Sequence, residues 1–207
     1  MSFLEVAYTE RYTKMLRPLA HRLEIHLKDV FEQYKRIDRV SVRAKSIPRF
    51  VAKANKLEKG VPKYSDPFNQ IQDQIGARIV TFYKHDVEAL ASEVPKYFRH
   101  IESQLIVPES ENEFGYEGQH FILFLPRDIF DDESREEESI SFFELQIKTL
   151  FQHAWSEAEH DLGYKPATNL TSDQKRRLAF TAAQAWGADE IFNELFQQLN
   201  DSIEGQL

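Results

Sequence analysis

An α+β domain, with strands and helices sharing one core, is the fold class this sequence predicts, and three observations lead there. At 207 residues, with 42% hydrophobic and 29% charged side chains, the chain can bury one substantial core and is most simply a single domain. From Phe142 onward a period-2 alternation sets Phe143, Leu145 and Ile147 against Glu144, Gln146 and Lys148, the pattern of a strand with one apolar and one polar face. After Thr149 the period lengthens: Leu150, Phe151, Ala154, Trp155, Ala158 and Leu162 form an apolar helical stripe, and His153, Glu157 and His160 a separate polar one. Glu144 therefore points away from the core, at a junction where two polar faces meet.

The other elements follow in chain order. Tyr8, Tyr12, Met15, Leu16, Leu19, Leu23, Leu27, Val30, Phe31 and Tyr34 recur at helical spacing, so residues 1–36 form a helical segment, kinked or restarted at Pro18. Residues 37–165 form the α/β core. It opens with a basic stretch, Arg43 to Lys56, in which Lys45, Arg49, Lys53 and Lys56 fall on one face of a predicted helix. Like charges stacked in this way repel, and a polyphosphate would relieve the repulsion; the alternative is a solvated face paired with surface acids. Gly76 to Tyr83 and Ile101 to Val107 read as strands around a helix from Asp86 to Tyr97, and His85-Asp86 is read as decoration. A turn at Gly115-Tyr116 leads into a strand from Phe121 to Leu125. The acidic run Asp131 to Glu138 is a solvated loop. A capping-box pattern, Thr171-x-x-Gln174, announces the terminal helices over 171–200, with Gly187 marking a bend. Their Leu178, Trp186, Phe192, Leu195 and Leu199 pack on the sheet or pair with a second subunit in a homo-oligomer.

Composition excludes several functions. A net charge of −8 argues against nonspecific nucleic-acid binding, and the absence of cysteine removes disulfides, thiol nucleophiles and cysteine zinc sites. No apolar run reaches the roughly 18 residues that span a bilayer, and the amino terminus lacks the basic and apolar regions of a signal peptide, so no membrane association and a cytoplasmic location are expected. No Walker phosphate loop is present, so any nucleotide is held by side chains. His153, Glu157 and His160 mimic metal-ligand spacing, but without a flanking ligand motif they read as a hydrogen-bonded polar face.

Four motifs, in order, resemble the RelA/SpoT-like alarmone synthetase domain, in the form of a small member without a hydrolase half. Arg43-x-Lys45-Ser46 with Lys53 and Lys56 is similar to the family's donor-binding opening, although Arg49 stands where a serine is usual. Asp73-x-x-Gly76-x-Arg78 resembles its metal-binding signature. Gly115-Tyr116-x-Gly118-x-His120 resembles its Gly-Tyr-x-Ser-x-His element, with Gly118 replacing the serine. Glu144-x-Gln146, followed by His160, Tyr164 and Lys165, resembles its closing signature.

The resemblance implies a mixed sheet of about five strands flanked by helices, as in nucleotidyltransferases, and transfer of pyrophosphate from ATP to the 3′ hydroxyl of GDP or GTP. It assigns ATP to Arg43, Lys45, Ser46, Arg49, Lys53, Lys56 and Arg78, with Arg78 stacking on the adenine opposite Arg43. It assigns Mg²⁺ to Asp73 and Glu144, with Glu144 also placed to take the hydroxyl proton. The acceptor falls to Tyr116, stacking on the guanine, and to His120, Gln146 and Lys148. Two alternatives stay open: transfer to a tRNA 3′ end or an adenine nucleotide, for which Gly118 and the cluster Lys175, Arg176 and Arg177 leave room, and a non-catalytic nucleotide sensor.

Overall fold

The computed structural model describes residues 2–130, 140–163 and 170–204. Its first helix, α1 (Phe3–Arg11), is capped by the Ser2 hydroxyl, which accepts from the Glu5 N–H at 3.2 Å. A π-helical turn over Tyr12–Leu16 joins it to α2 (Arg17–Val30). Pro18 falls in the first turn of α2, but Leu16 and Arg17 keep right-handed helical angles, so the helix runs on through the π-helical turn rather than restarting at the proline.

The next element departs from expectation. Residues Ile37–Ala44 form a strand, β1, and the basic stretch is divided rather than helical throughout. Val40, Val42 and Ala44 are more buried than the intervening Ser41 and Arg43, a strand alternation that the density of cations obscures in the sequence. Pro48 belongs in a first helical turn and fixes the start of α3 (Ile47–Ala54). Of the four cations expected on one helical face, Arg49 and Lys53 lie on α3, Lys45 lies in the turn before it and Lys56 beyond its end; Arg43 is on β1. A small hairpin of β2 (Leu57–Glu58) and β3 (Val61–Pro62) turns through Lys59 and Gly60, both at positive φ, and leads to α4 (Pro67–Gln70).

The remaining strands and α-helices are β4 (Ile75–Thr81), α5 (Lys84–Tyr97), β5 (His100–Ile106), β6 (Gly118–Phe124), β7 (Phe142–Thr149), α6 (Leu150–Gly163) and α7 (Ser172–Glu204). Five strands form one mixed sheet in the order β1-β4-β7-β6-β5, with β4 and β7 parallel and the other pairs antiparallel. This is the α+β mixed sheet that the motifs implied. Ala77, Ile79, Phe121, Leu123, Phe143, Leu145 and Ile147, all buried, point to one side of it. There they meet Leu19, Leu23 and Leu27 of α2 and Leu90 and Val94 of α5. The opposite face carries the polar alternates.

The terminal segment is one helix, α7, which runs through Gly187 without a break. Trp155 of α6 donates to the Thr181 hydroxyl at 3.1 Å, and Phe196 stacks on Tyr83 at 4.5 Å. The capping box forms as read: the Thr171 N–H donates to Gln174 Oε1 at 2.9 Å, and the Gln174 N–H to Thr171 Oγ1 at 3.3 Å. Asp86 is more than decoration. It is buried, and Arg36 Nε reaches its Oδ1 at 2.7 Å, tying the start of α5 to the segment before β1. The acidic run 131–138, with Tyr164 and Lys165, lies outside the described residues. Among the described residues no helix is long and apolar enough to cross a membrane.

Candidate active site

Strand register builds the site. Across the sheet Arg43 pairs with Gly76, Gly76 with Glu144, Arg78 with Gln146, and Gln146 with His120. Directly paired residues share a face, so one two-residue period places side chains from β1, β4, β7 and β6 on the side away from the core. They line a cavity of about 830 Å³, within the usual size range of ligand sites. Every residue assigned to ATP, metal or acceptor lines it: Arg43, Lys45, Ser46, Arg49, Lys53, Lys56, Asp73, Arg78, Tyr116, His120, Glu144, Gln146 and Lys148.

One end of the cavity is cationic. Asp73, in the single turn of 3-10 helix before β4, receives Lys45 Nζ at 2.7 Å on Oδ2 and Lys53 Nζ at 3.0 Å on Oδ1. The Lys53 approach lacks the alignment of a hydrogen bond, which leaves Oδ1 buried and open to a further partner. The backbone of Lys45 is fixed from both sides, its N–H donating to Gln74 O at 2.8 Å and its carbonyl accepting from the Tyr8 hydroxyl at 2.8 Å. Arg78 is gripped from α6: its Nη1 donates to Glu157 Oε1 at 2.7 Å and lies 3.2 Å from His153 Nδ1. Partial burial alone would raise the Glu157 carboxyl, but the Arg78 guanidinium overrides it and holds the group below the usual carboxylate range. Burial, with Arg78 and Arg49 nearby, pushes Arg43 down from the ordinary guanidinium value. Such a concentration of positive charge favours an anion.

The other end is a hydrogen-bonded chain. Tyr116 Oη lies 2.6 Å from His120 Nε2, His120 Nδ1 lies 2.9 Å from Glu144 Oε1, and Gln146 Nε2 donates to the same oxygen at 3.2 Å. Burial would raise the Glu144 carboxyl, yet the bonds from His120 and Gln146 outweigh it and leave it lowered, hence ionised at neutral pH. Lys148 is nearly fully buried, with Nζ 3.3 Å from Ser156 Oγ and 4.3 Å from the centre of the Tyr116 ring. Burial, with Arg78 nearby, pushes its ammonium down to about 7.

Sequence reading placed His153 and Glu157 on a polar face without finding their partner, since the pairing with Arg78 spans more than 70 residues. Ser156 has no part in the sequence reading, and Tyr8 enters it only as a member of the amino-terminal helical stripe. Ser156 lies three residues beyond His153, so the polar stripe of α6 held a signal for it. Nothing in the sequence links Tyr8 to Lys45.

Comparison with known proteins agrees with this architecture. Over 201 aligned residues the chain is 24% identical to GTP pyrophosphokinase YjbM of Bacillus subtilis (strain 168), covering 93% of this chain and 90% of that protein. The crystal structure of the small alarmone synthetase 1 from Bacillus subtilis superposes with a TM-score of 0.75 at 24% identity, covering 93% of this chain and 99% of that one. The structure of that synthetase bound to its product pppGpp gives 0.72 at 24% identity, over 91% and 98% of the two chains. At this identity the superpositions carry the fold. Residues 42–169 match the family described as the region found in RelA / SpoT proteins. That match takes in more than half of the chain, from the end of β1 past α6, with every cavity-lining residue except Ser41, and this protein belongs to the RelA/SpoT family.

Proposed function

We propose that this protein is a (p)ppGpp synthetase, a GTP/GDP diphosphokinase that moves the β,γ-pyrophosphate of ATP to the 3′ hydroxyl of GDP or GTP. The observation that carries this reading is the division of one cavity into a cationic half around Asp73 and a Tyr116–His120–Glu144 half, with residues from four strands meeting in it. Similarity to a GTP pyrophosphokinase over nearly the full length of both chains supports it. In the reaction the acceptor's 3′ oxygen attacks the β-phosphorus of ATP, the bond from that phosphorus to the α,β-bridging oxygen breaks, and AMP leaves.

Such a transfer depends on positioning and charge neutralisation more than on covalent chemistry. Lys45, Lys53, Arg43, Arg49, Lys56 and the Ser46 hydroxyl hold the donor phosphates, and Arg78, fixed by Glu157 and His153, offers a flat guanidinium to the adenine. Glu144, ionised and steered by His120 and Gln146, takes the proton of the 3′ hydroxyl. Tyr116 stacks on the acceptor base, and Lys148 with His120 faces the acceptor. The residues also fit Mg²⁺, which binds one or two carboxylates plus substrate phosphates: Asp73 keeps a buried oxygen without an aligned hydrogen bond, and Glu144 lines the same cavity. When bound there, the ion supplies charge neutralisation for the phosphates.

Lys53→Ala is expected to weaken binding of a nonhydrolysable ATP analogue about tenfold or more, the usual loss when a charge-assisted bond is removed, and to leave GDP binding little changed. Calorimetry with each nucleotide alone checks this. Equal affinity for the ATP analogue in both proteins would take Lys53 out of the donor site.

Lys148 gives a pH dependence. With its ammonium at about 7, it is largely neutral at pH 8 in the unliganded protein. An acceptor phosphate restores the charge, so binding at pH 8 takes up a proton, and acceptor affinity falls as pH rises above 7. GDP titrations in two buffers of different ionisation enthalpy read the uptake, which Lys148→Met abolishes. A buffer-independent heat would contradict the assignment.

We read the chain as one synthetase domain working in the cytoplasm, where both nucleotides are found. Phe180, Ile191, Leu195 and Leu199 of α7 stand exposed, which supports pairing with a second copy through the terminal helices. The acceptor class is tested by salt. A mononucleotide makes few phosphate contacts, so transfer falls only modestly as salt rises, and reversing Arg176 and Arg177 has little effect; a tRNA acceptor would make both effects steep.

A further inference from the structure

The phenol of Tyr116 fills the place where residue 118 would carry a side chain. Gly118 is buried at the start of β6, and a Cβ added there would lie 2.7 Å from Tyr116 Oη, 3.2 Å from its Cζ and 3.5 Å from its Cε1, the three nearest atoms. Beyond its two chain neighbours, no atom of another residue lies closer than 3.5 Å to the position. In the space so left, the Tyr116 hydroxyl reaches His120 Nε2 at 2.6 Å, the two rings meet edge to face at 85°, and one face of the phenol covers Lys148 Nζ at 4.3 Å. The neutral tautomer with its proton on Nδ1 satisfies the whole chain: Tyr116 donates to Nε2, and Nδ1–H donates to Glu144 at 2.9 Å. Burial raises the Tyr116 phenol, which keeps it protonated and in the donor role.

This arrangement occupies the groups that the acceptor needs. A ring whose face lies on Lys148 and whose hydroxyl holds His120 cannot at the same time offer that face to a base, or leave those two side chains open to a nucleotide. We infer that Gly118 is a positioning residue of the acceptor site: its missing side chain lets Tyr116 dock on His120 and Lys148 in the unliganded protein, so that an acceptor binds only by displacing the phenol. The inference rests on the acceptor reading above and adds a cost to it. The acceptor's apparent affinity is its intrinsic affinity reduced by the fraction of protein in which Tyr116 is turned out. A side chain at 118 as small as a methyl group removes the inward position and that reduction with it.

The test uses the full chain with Gly118→Ala and Tyr116→Phe, the second keeping a ring to stack while deleting the hydroxyl. With no nucleotide present, long-range proton–nitrogen NMR reads the His120 ring, whose signals are assigned by their loss in His120→Gln. The expected result is that both variants shift the His120 Nε2 signal in the same direction away from wild type. In calorimetry without ATP, Gly118→Ala is expected to bind GDP about threefold or more tightly. An unchanged His120 signal in Gly118→Ala overturns the inference, as does GDP affinity equal to or weaker than wild type. The NMR comparison involves no nucleotide and decides the Gly118–Tyr116 coupling alone. Absence of GDP binding by wild type and both variants would instead overturn the acceptor reading, and the displacement step with it.

Discussion

Asp73→Asn and Glu144→Gln are each expected to lower pyrophosphate transfer roughly 10²–10³-fold, the size seen when one electrostatic contact to a transition state is removed. Both replacements keep the shape of the side chain and delete a charge. Asp73 draws Lys45 and Lys53 together at 2.7 and 3.0 Å, so the amide loses the group that organises the donor end. Glu144 takes His120 Nδ1 at 2.9 Å and is held ionised, so glutamine loses the proposed proton acceptor and turns a donor or a weaker acceptor toward His120. Single-turnover kinetics at saturating nucleotide separates this loss from weakened binding. Thermal melts check that the fold survives, since both residues face the cavity rather than the core. Turnover near wild type in either variant would remove that residue from the reaction.

The second large effect is on stability. Tyr8→Ala is expected to cost about 3–5 kcal/mol, the usual loss for deleting a buried aromatic ring. Tyr8 is fully buried, its ring lies parallel to Phe50 with centroids 3.6 Å apart, and its hydroxyl holds the Lys45 carbonyl at 2.8 Å. One side chain of α1 therefore supports both the packing under α3 and the turn that presents Lys45. Tyr8→Phe keeps the ring and loses only that bond, about 0.5–1.5 kcal/mol. Its distinguishing result is a weakened ATP interaction at nearly normal stability, because the Lys45 turn loses one of its two backbone anchors. Denaturant melts of the two variants, read beside ATP-analogue calorimetry, check the split. Equal stability of Tyr8→Ala and wild type would show that α1 contributes little to the core.

How far the sequence could be read depended on the range of the interaction. Strand β7 and helix α6 were legible because Phe143, Leu145 and Ile147 and then Leu150, Phe151 and Ala154 each show a single uninterrupted period. The Thr171–Gln174 box was legible because it is complete within four residues. Strand β1 is hard to see in the sequence because it is partly exposed and Asp38 and Arg39 fall together between Ile37 and Val40, breaking the alternation at its start. Gly187 suggests an interruption because a glycine weakens a helix locally, whereas α7 continues through it, with Trp155, Phe151 and Tyr83 packed against it from neighbouring elements. The residues of the site could be listed from their motifs, but their arrangement could not. That Arg78 leans on Glu157, that Asp73 lies between two lysines, and that Tyr116 folds over Gly118 onto His120 all follow from the sheet register and from side-chain directions, which no local spacing encodes.

Pyrophosphate transfer to a guanosine nucleotide is tested most directly by following the label. Purified protein is incubated with ATP labelled at the γ-phosphate and Mg²⁺, with GDP, GTP, an adenine nucleotide and tRNA offered separately, and the products are resolved by chromatography. Label is expected on GDP or GTP, with AMP released in equal amount and transfer by Glu144→Gln lowered roughly 10²–10³-fold. Label on tRNA that disappears when Arg176 and Arg177 are reversed, label on the adenine nucleotide alone, or no transfer to any acceptor would contradict it.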